Sequence, residues 1–269
     1  GKQVTDWADA KKAAALEKEY MAADVVRTRA EMIEMLRPLP GERVLDVGCG
    51  PGYLLRDLAE TVGEGGRVDG VDPSPAFCDM AAARLRGLPH AHVHQAGAEA
   101  LPYADGVFDA VVIAQVLLYV PDVAQALAEA RRVLRPGGRL LICDTDWDNL
   151  VVNTADSERF QRLFAACCST FVHAHLPPKL PGVLARGGLT LCDTRTVRMQ
   201  SIGARTEGEF MHHWAFNIVP EKARGFGLSE DDVQAWLHEQ TALEEEGAFF
   251  ACIHRFFFLA RKPHPAGAA

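Results

Sequence analysis

Apolar residues recur at helical spacing through Val25, Val26, Met32, Ile33 and Leu36, and the pattern stops at "RPLPG". This predicts one or two helices within residues 1–40. From residue 43 the pattern changes to short apolar runs, "RVLDVG", "GRVDGVD", "AHVHQAG", "VFDAVVIAQV" and "GGRLLICDTDW", with the helical patterns "GYLLRDLAETV", "PSPAFCDMAAARLRG" and "VAQALAEARRVL" set among them. Four of the five runs show little polar alternation, as parallel strands covered on both faces do. Strands alternating with helices imply right-handed crossovers, so an α/β fold with a doubly wound sheet is predicted. Ligands of such sheets sit at the carboxyl ends of the strands.

After Trp147 the alternation breaks. Residues 154–174 read as helical, "PKLPGVLARGG" as a short helix and "LTLCDTRTVRMQS" as a strand. "EGEFMHHWAFNIV" and "SEDDVQAWLHEQTALEEE" follow as helices before a last strand, "CIHRFFFLARK". The helical segments, 147–176 and 202–250, have no linker and too little apolar mass to fold alone, and no role in completing the sheet is expected of them. The organisation predicted is a single domain over 1–269: N-terminal helices to 40, a core over 41–146, two helical cap insertions and a last strand at 251–262.

The 28 basic and 36 acidic residues give a net charge of −8, and no basic block is long enough to neutralise a run of phosphates, so no nucleic-acid partner is expected. The N-terminus lacks the apolar core of a signal peptide. The longest apolar stretch, Ala110 to Val120, is too short to span a bilayer and contains Gln115. A cytoplasmic protein without a membrane span is therefore expected. The seven cysteines form no CxxC pair, which argues against a disulfide framework or a structural zinc site. Only the neighbours Cys167 and Cys168 suggest a soft-metalloid role.

"VLDVGCGPGYL" concentrates chemistry at one corner. Gly48, Gly50 and Gly52 fall where a strand ends and a helix begins, where backbone amides and a helix dipole can face a ligand. The spacing is G-x-G-x-G, not the G-x-G-x-x-G of dinucleotide folds. Asp72 ends the second strand, twenty-four residues after Gly48. An acid there can accept hydrogen bonds from both hydroxyls of a ribose, or it can cap the following helix. Corner and acid together point to an adenosine-containing cofactor.

These residues resemble the class I S-adenosylmethionine-dependent methyltransferases, and most of all the group that includes the ubiquinone and menaquinone biosynthesis enzymes. "VLDVGCGPG" is similar to the family's first motif and "VDPSPAFCDMA" to its second, followed in order by "AEALPYADGVFDAVV" and "EARRVLRPGGRLLI". The resemblance covers residues 40–146. It implies a seven-stranded sheet of order 3-2-1-4-5-7-6 with the last strand antiparallel, strands six and seven being Leu189 to Ser201 and Cys252 to Lys262.

It further implies S-adenosyl-L-methionine as cofactor. The loop Gly48, Cys49, Gly50 and Gly52 would lie under its methionine part, Asp46 near its amino group, Asp72 at the ribose, and Pro73 and Ser74 beside the adenine. Where the family carries an acid facing the adenine amine, this chain has Gly97. Ala98 could contribute its backbone amide and Glu99 could substitute in part, or packing alone could hold the ring. Ala114 and Gln115 would stand at the reactive end, unless Gln115 is a surface amide. Tyr20 resembles the N-terminal segment that closes over the cofactor.

Methyl transfer requires alignment of the acceptor, and a base only where the acceptor is protonated. His173, His175, His212 and His213 are the candidates for a single base; each pair is too close in sequence to share one helix face. Asp144, Asp146 and Asp148 could orient an acceptor or merely cap turns. No metal is predicted. Phe160, Phe164, Phe171, Phe210, Trp214, Phe216 and Trp236 suit an apolar or aromatic acceptor, although most must bury the cap's own helices. The function expected is methylation of a small molecule at oxygen, nitrogen or carbon. The alternative is a protein that binds the cofactor without methylating, as a cyclase would. A homodimer is left open.

Overall fold

The computed structural model describes residue 17, residues 19–204, residue 206 and residues 208–265, so the helical pattern before Glu17 lies outside the described residues. The central sheet is built from β1 (Arg43–Val47), β2 (Arg67–Asp72), β3 (Ala91–Gln95), β4 (Phe108–Ala114) and β5 (Leu134–Thr145), all parallel. It is completed by β6 (Val151–Val152), β7 (Thr190–Ile202) and β8 (Phe250–Arg261). The order is β3-β2-β1-β4-β5-β8-β6, with β7 on the other edge of β8.

Strand β8 runs antiparallel to β5, from Arg139 opposite Arg261 to Thr145 opposite Arg255. The predicted sixth and seventh strands are β7 and β8, and their placement follows the expected order. One element departs from it. Val151 and Val152, inside the first helical segment, pair with Ala251 and Cys252, so that segment does add a short strand to the sheet.

Alternate residues of each strand enter different cores, because successive side chains leave opposite faces of a pleated strand. Leu45, Val47, Val111, Ile113, Leu140 and Ile142 pack on one face with α4 (Val123–Val133) and α6 (Leu180–Arg186). Val44, Val112, Leu141 and Cys143 pack on the other, with α1 (Ala23–Leu36), α2 (Tyr53–Val62) and α3 (Pro75–Arg84). This two-sided burial is why the strands read as continuous apolar runs.

A third core holds the remaining helices: α5 (Ser157–Cys168), α7 (Phe210–His213), α8 (Val219–Phe226) and α9 (Glu230–Glu245). Trp214 and Trp236 at its centre are fully buried, and Trp236 donates its indole N–H to the Ala215 carbonyl at 2.8 Å. One π-helical turn, Trp214–Ile218, joins α7 to α8. Helix α9 starts at the N-cap Ser229 and carries Glu230, Asp231 and Asp232 in its first turn, where they favour the helix dipole.

Helix α5 ends at Cys168, short of the predicted 174, so His173 and His175 stand in a loop and the helix-face constraint does not apply to them. Among the described residues no helix is long and apolar enough to cross a membrane.

Candidate functional site

The glycine corner is shaped first by the protein itself. Gly48 and Gly52 adopt φ of 72° and 84°, in the left-handed region that side chains disfavour. A Cβ on Gly48 would stand 2.2 Å from Val116 Cγ2, and one on Gly52 would stand 2.9 Å from the Cα of Ala81 in α3. Their lack of side chains is thus required by strand-end and helix packing. At Gly50 the neighbour is Tyr20, whose Oη would be 2.8 Å from a Cβ. The N–H groups of Gly48 and Cys49 both donate to the Val71 carbonyl, at 2.7 and 2.9 Å. The Cys49 side chain turns inward against Gly70, so only its backbone faces the corner.

Asp72 fixes the loop. Its Oδ2 accepts the Gly50 N–H at 3.0 Å and its Oδ1 the Ser74 N–H at 2.9 Å. It is not the cap of α3: Ser74 caps that helix, accepting the Phe77 N–H at 3.3 Å, and Pro75 opens it. Asp46 at the end of β1 is 2 % exposed, and its Oδ2 has no hydrogen-bond partner. Burial, then the charge of Asp72, pushes its pKa up to about 8. Burial raises Asp72 as well, against the pull of its two backbone N–H groups. A pair of buried acids with only N–H donors around them is a site for a cation with hydroxyl or ammonium donors.

Tyr20 closes the corner from above. Its ring stacks on Tyr53 with centroids 5.7 Å apart, and its carbonyl accepts from Arg29 Nη1 at 2.7 Å. Glu17 reaches both Arg84 and the Tyr53 hydroxyl. Burial, followed by Asp72, raises the Tyr20 phenol pKa, so its hydroxyl stays protonated.

Among the residues expected beside an adenine, the Pro73 carbonyl accepts from Gln95 Nε2 at 3.1 Å, and the space beside Gly97 is open. Ala98 is partly buried against the core. Glu99 is otherwise engaged: its carboxylate accepts the Asp122 N–H at 2.8 Å and its carbonyl accepts from Gln125, fixing the start of α4. Beyond Ala114, Gln115 has a φ of 57°. Its N–H donates to the Cys143 carbonyl at 2.7 Å, and its Oε1 accepts from Thr145 Oγ1 at 2.8 Å. It is an internal link between the ends of β4 and β5, not a surface amide.

The four histidines occupy different settings. His212 faces Glu244 at 3.2 Å and stacks on Phe216. His213 faces Glu19 at 3.7 Å. Nδ1 of His175 lies 2.7 Å from Asp146 and 3.3 Å from Asp148. His173 keeps a buried Nε2 without a partner, while its N–H donates to the Leu118 carbonyl. Burial pushes the thiols of Cys167 and Cys168 up to about 12, and among the described residues no group of three or more His, Cys, Asp or Glu could hold a metal ion.

Four further residues carry no motif, yet they adjoin the site: Val116, Glu19, Tyr119 and Arg255. The one visible signal was a single basic residue, Arg255, within the apolar run "CIHRFFFLA".

Comparison with known proteins agrees with this geometry. A family model described as "Methyltransferase domain" matches residues 45–142. An uncharacterized 37.1 kDa protein of a Streptomyces fradiae transposon is 45% identical over 141 residues, 52% of this chain and 41% of that protein. The demethylmenaquinone methyltransferase of Lactococcus lactis is 36% identical over 126 residues, 46% of this chain and 50% of that enzyme. The chain therefore spans about half the length of these relatives or less. Among solved structures, the YcgJ protein of Bacillus subtilis superposes with a TM-score of 0.64 at 18% identity, over 89% of this chain and 99% of that one. The matched segment holds the glycine corner and both strand-end acids, Asp46 and Asp72, so this part of the chain is similar to methyltransferase domains.

Proposed function

We propose that the chain binds S-adenosyl-L-methionine and transfers its methyl group to a small apolar or aromatic molecule. The observation that carries this reading is Asp46. A fully buried carboxylate oxygen without a partner, beside a second buried acid, is costly unless a cation reaches it. The amino group of the cofactor's methionine part fits that need. Each Asp72 oxygen holds one backbone N–H, which leaves lone pairs for the two ribose hydroxyls. When bound, the cofactor supplies an electrophilic methyl group open to in-line displacement.

The chain's own residues orient and shield. Asp46 holds the amino group, the glycine corner lets the amino-acid end come close to the backbone, Tyr20 excludes water, and Gln115 lines the reactive end. The helical segments 147–176 and 202–250 form a cap that chooses the acceptor, its aromatic residues giving an apolar enclosure. For a protonated acceptor, His175 is the base: Asp146 accepts the Nδ1 proton and orients the ring, leaving Nε2 to take a proton.

Titration calorimetry with S-adenosylhomocysteine and NADH tests the cofactor, and labelled methyl transfer to a set of phenols and naphthoquinols tests the reaction. Selective binding of S-adenosylhomocysteine with label transfer is expected. Binding without transfer to any acceptor would favour the non-methylating alternative, and preference for NADH would end the reading. His175→Gln should lower kcat roughly 100-fold, with S-adenosylhomocysteine affinity unchanged.

A further inference from the structure

Arg255 is buried without a committed partner. It sits on β8 opposite Thr145, the last residue of β5, and Thr145 in turn bonds Gln115. The side chain is 8 % exposed, yet Arg255 makes no ion pair or hydrogen bond from its guanidinium among the described residues, and its Nε is buried with no acceptor. Its one defined contact is the Phe210 ring, 5.1 Å from Cζ. A guanidinium carries five N–H donors, and burying it unpaired is costly.

The neighbouring acids do not supply the missing partner. Glu19 and Asp144 both feel the charge of Arg255, but Glu19 faces His213 at 3.7 Å. Asp144 is fully buried and burial pushes it up to about 7, so near neutrality it is part protonated. Tyr119 also feels the charge of Arg255, and burial keeps its hydroxyl protonated. The same core holds two more donors without acceptors, the indole N–H groups of Trp147 and Trp214, whose rings lie 6.3 Å apart. Trp147 stacks on Phe171 at 5.1 Å, and Tyr119 meets Phe171 edge-on at 5.5 Å. Unmatched donors set among aromatic faces describe a receptor for a flat molecule bearing a negatively charged oxygen.

We propose that Arg255 determines acceptor choice by receiving an oxyanion, a phenolate, enolate or carboxylate oxygen, on an aromatic methyl acceptor. The proposal rests on the methyltransferase reading and narrows its substrate class. An acceptor without such an oxygen leaves the guanidinium unpaired and binds more weakly. Arg255 holds the ground-state anion in place and need not touch the methyl group.

Calorimetry on the protein saturated with S-adenosylhomocysteine, using benzoate and its neutral analogue benzamide as probes, tests this. Benzoate should bind at least about tenfold more tightly than benzamide, the size of one charged hydrogen bond. Arg255→Gln should abolish the preference and Arg255→Lys should keep part of it, with S-adenosylhomocysteine affinity within about twofold of the parent in both, which reports a folded protein. Equal binding of the two probes, no binding of benzoate, or a preference that survives Arg255→Gln would overturn the proposal while leaving the cofactor reading intact. Failure of the parent protein to bind S-adenosylhomocysteine would remove both.

Discussion

The carboxyl ends of β1 and β2 and the carboxyl end of β5 beside β8 treat their buried polar groups in opposite ways. At the first, the loop amides are occupied: Gly48 and Cys49 on Val71, Gly50 and Ser74 on Asp72, with Asp46 Oδ2 the one site atom left over. At the second, Asp144 Oδ2, Trp147 Nε1, His173 Nε2, Trp214 Nε1 and Arg255 Nε all lack partners among the described residues. The first region is pre-organised and needs little from its ligand beyond a cation. The second holds a mixture of buried donors and an acceptor still open to partners.

The contrast can be broken most severely at Gly48. Gly48→Ala forces a Cβ against Val116 and an unfavourable φ, and should destabilise the fold by about 3 kcal/mol in denaturant titration. Adding Val116→Ala should recover part of the loss, and no recovery would mean that the steric account of the corner is wrong. At the middle of the scale, Asp72→Ala should weaken S-adenosylhomocysteine binding by about 1–3 kcal/mol, since two backbone N–H groups and the ribose lose their acceptor. An unchanged dissociation constant would break the assignment of the first region to the cofactor.

The smallest expected effect sharpens the role of Asp46. Its folded pKa of about 8 lies above the ordinary 3.8, so between those values the folded protein holds a proton that the unfolded chain has lost. Stability from this group is full below pH 4 and is lost as pH rises toward 8. An ammonium needs the carboxylate, so binding releases the proton and affinity should rise with pH, by at most about tenfold per unit below pH 8. Calorimetry between pH 6 and 8.5 measures this, and Asp46→Asn should flatten it. A flat profile in the parent protein would remove Asp46 from the cofactor site.

Where each feature could be read depended on the range of its cause. The glycines, Asp72 and the strand pattern are set by neighbours a few residues away or by the fixed geometry of a strand–helix corner, so "VLDVGCGPGYL" and "GRVDGVD" carried them openly. Yet the reason for Gly48 and Gly52 was not visible there. It lies with Val116 and Ala81, distant in sequence and brought close by the sheet. Gln115 was expected at the reactive end or as a surface amide, and which of its atoms are held was not legible: Thr145 bonds it from the end of the neighbouring strand β5. Glu99 looked free to meet an adenine and instead fixes the start of α4.

By itself the sequence determined the doubly wound order of elements and the glycine corner at the end of β1, because those follow from local periodicity and from backbone positions that only glycine fills easily. Only the tertiary structure decided which polar groups are satisfied. The apolar run "CIHRFFFLA" marks Arg255 as a basic residue to be buried but not what it meets, and nothing in "FVHAHLPP" sets His175 apart from His173. Arg255 has an Nε without a partner among the described residues and His175 is held by Asp146, because the antiparallel pairing of β8 with β5 and the loop after α5 put them there. Hydrogen bonding is settled by contact in space, and a one-dimensional pattern does not record it.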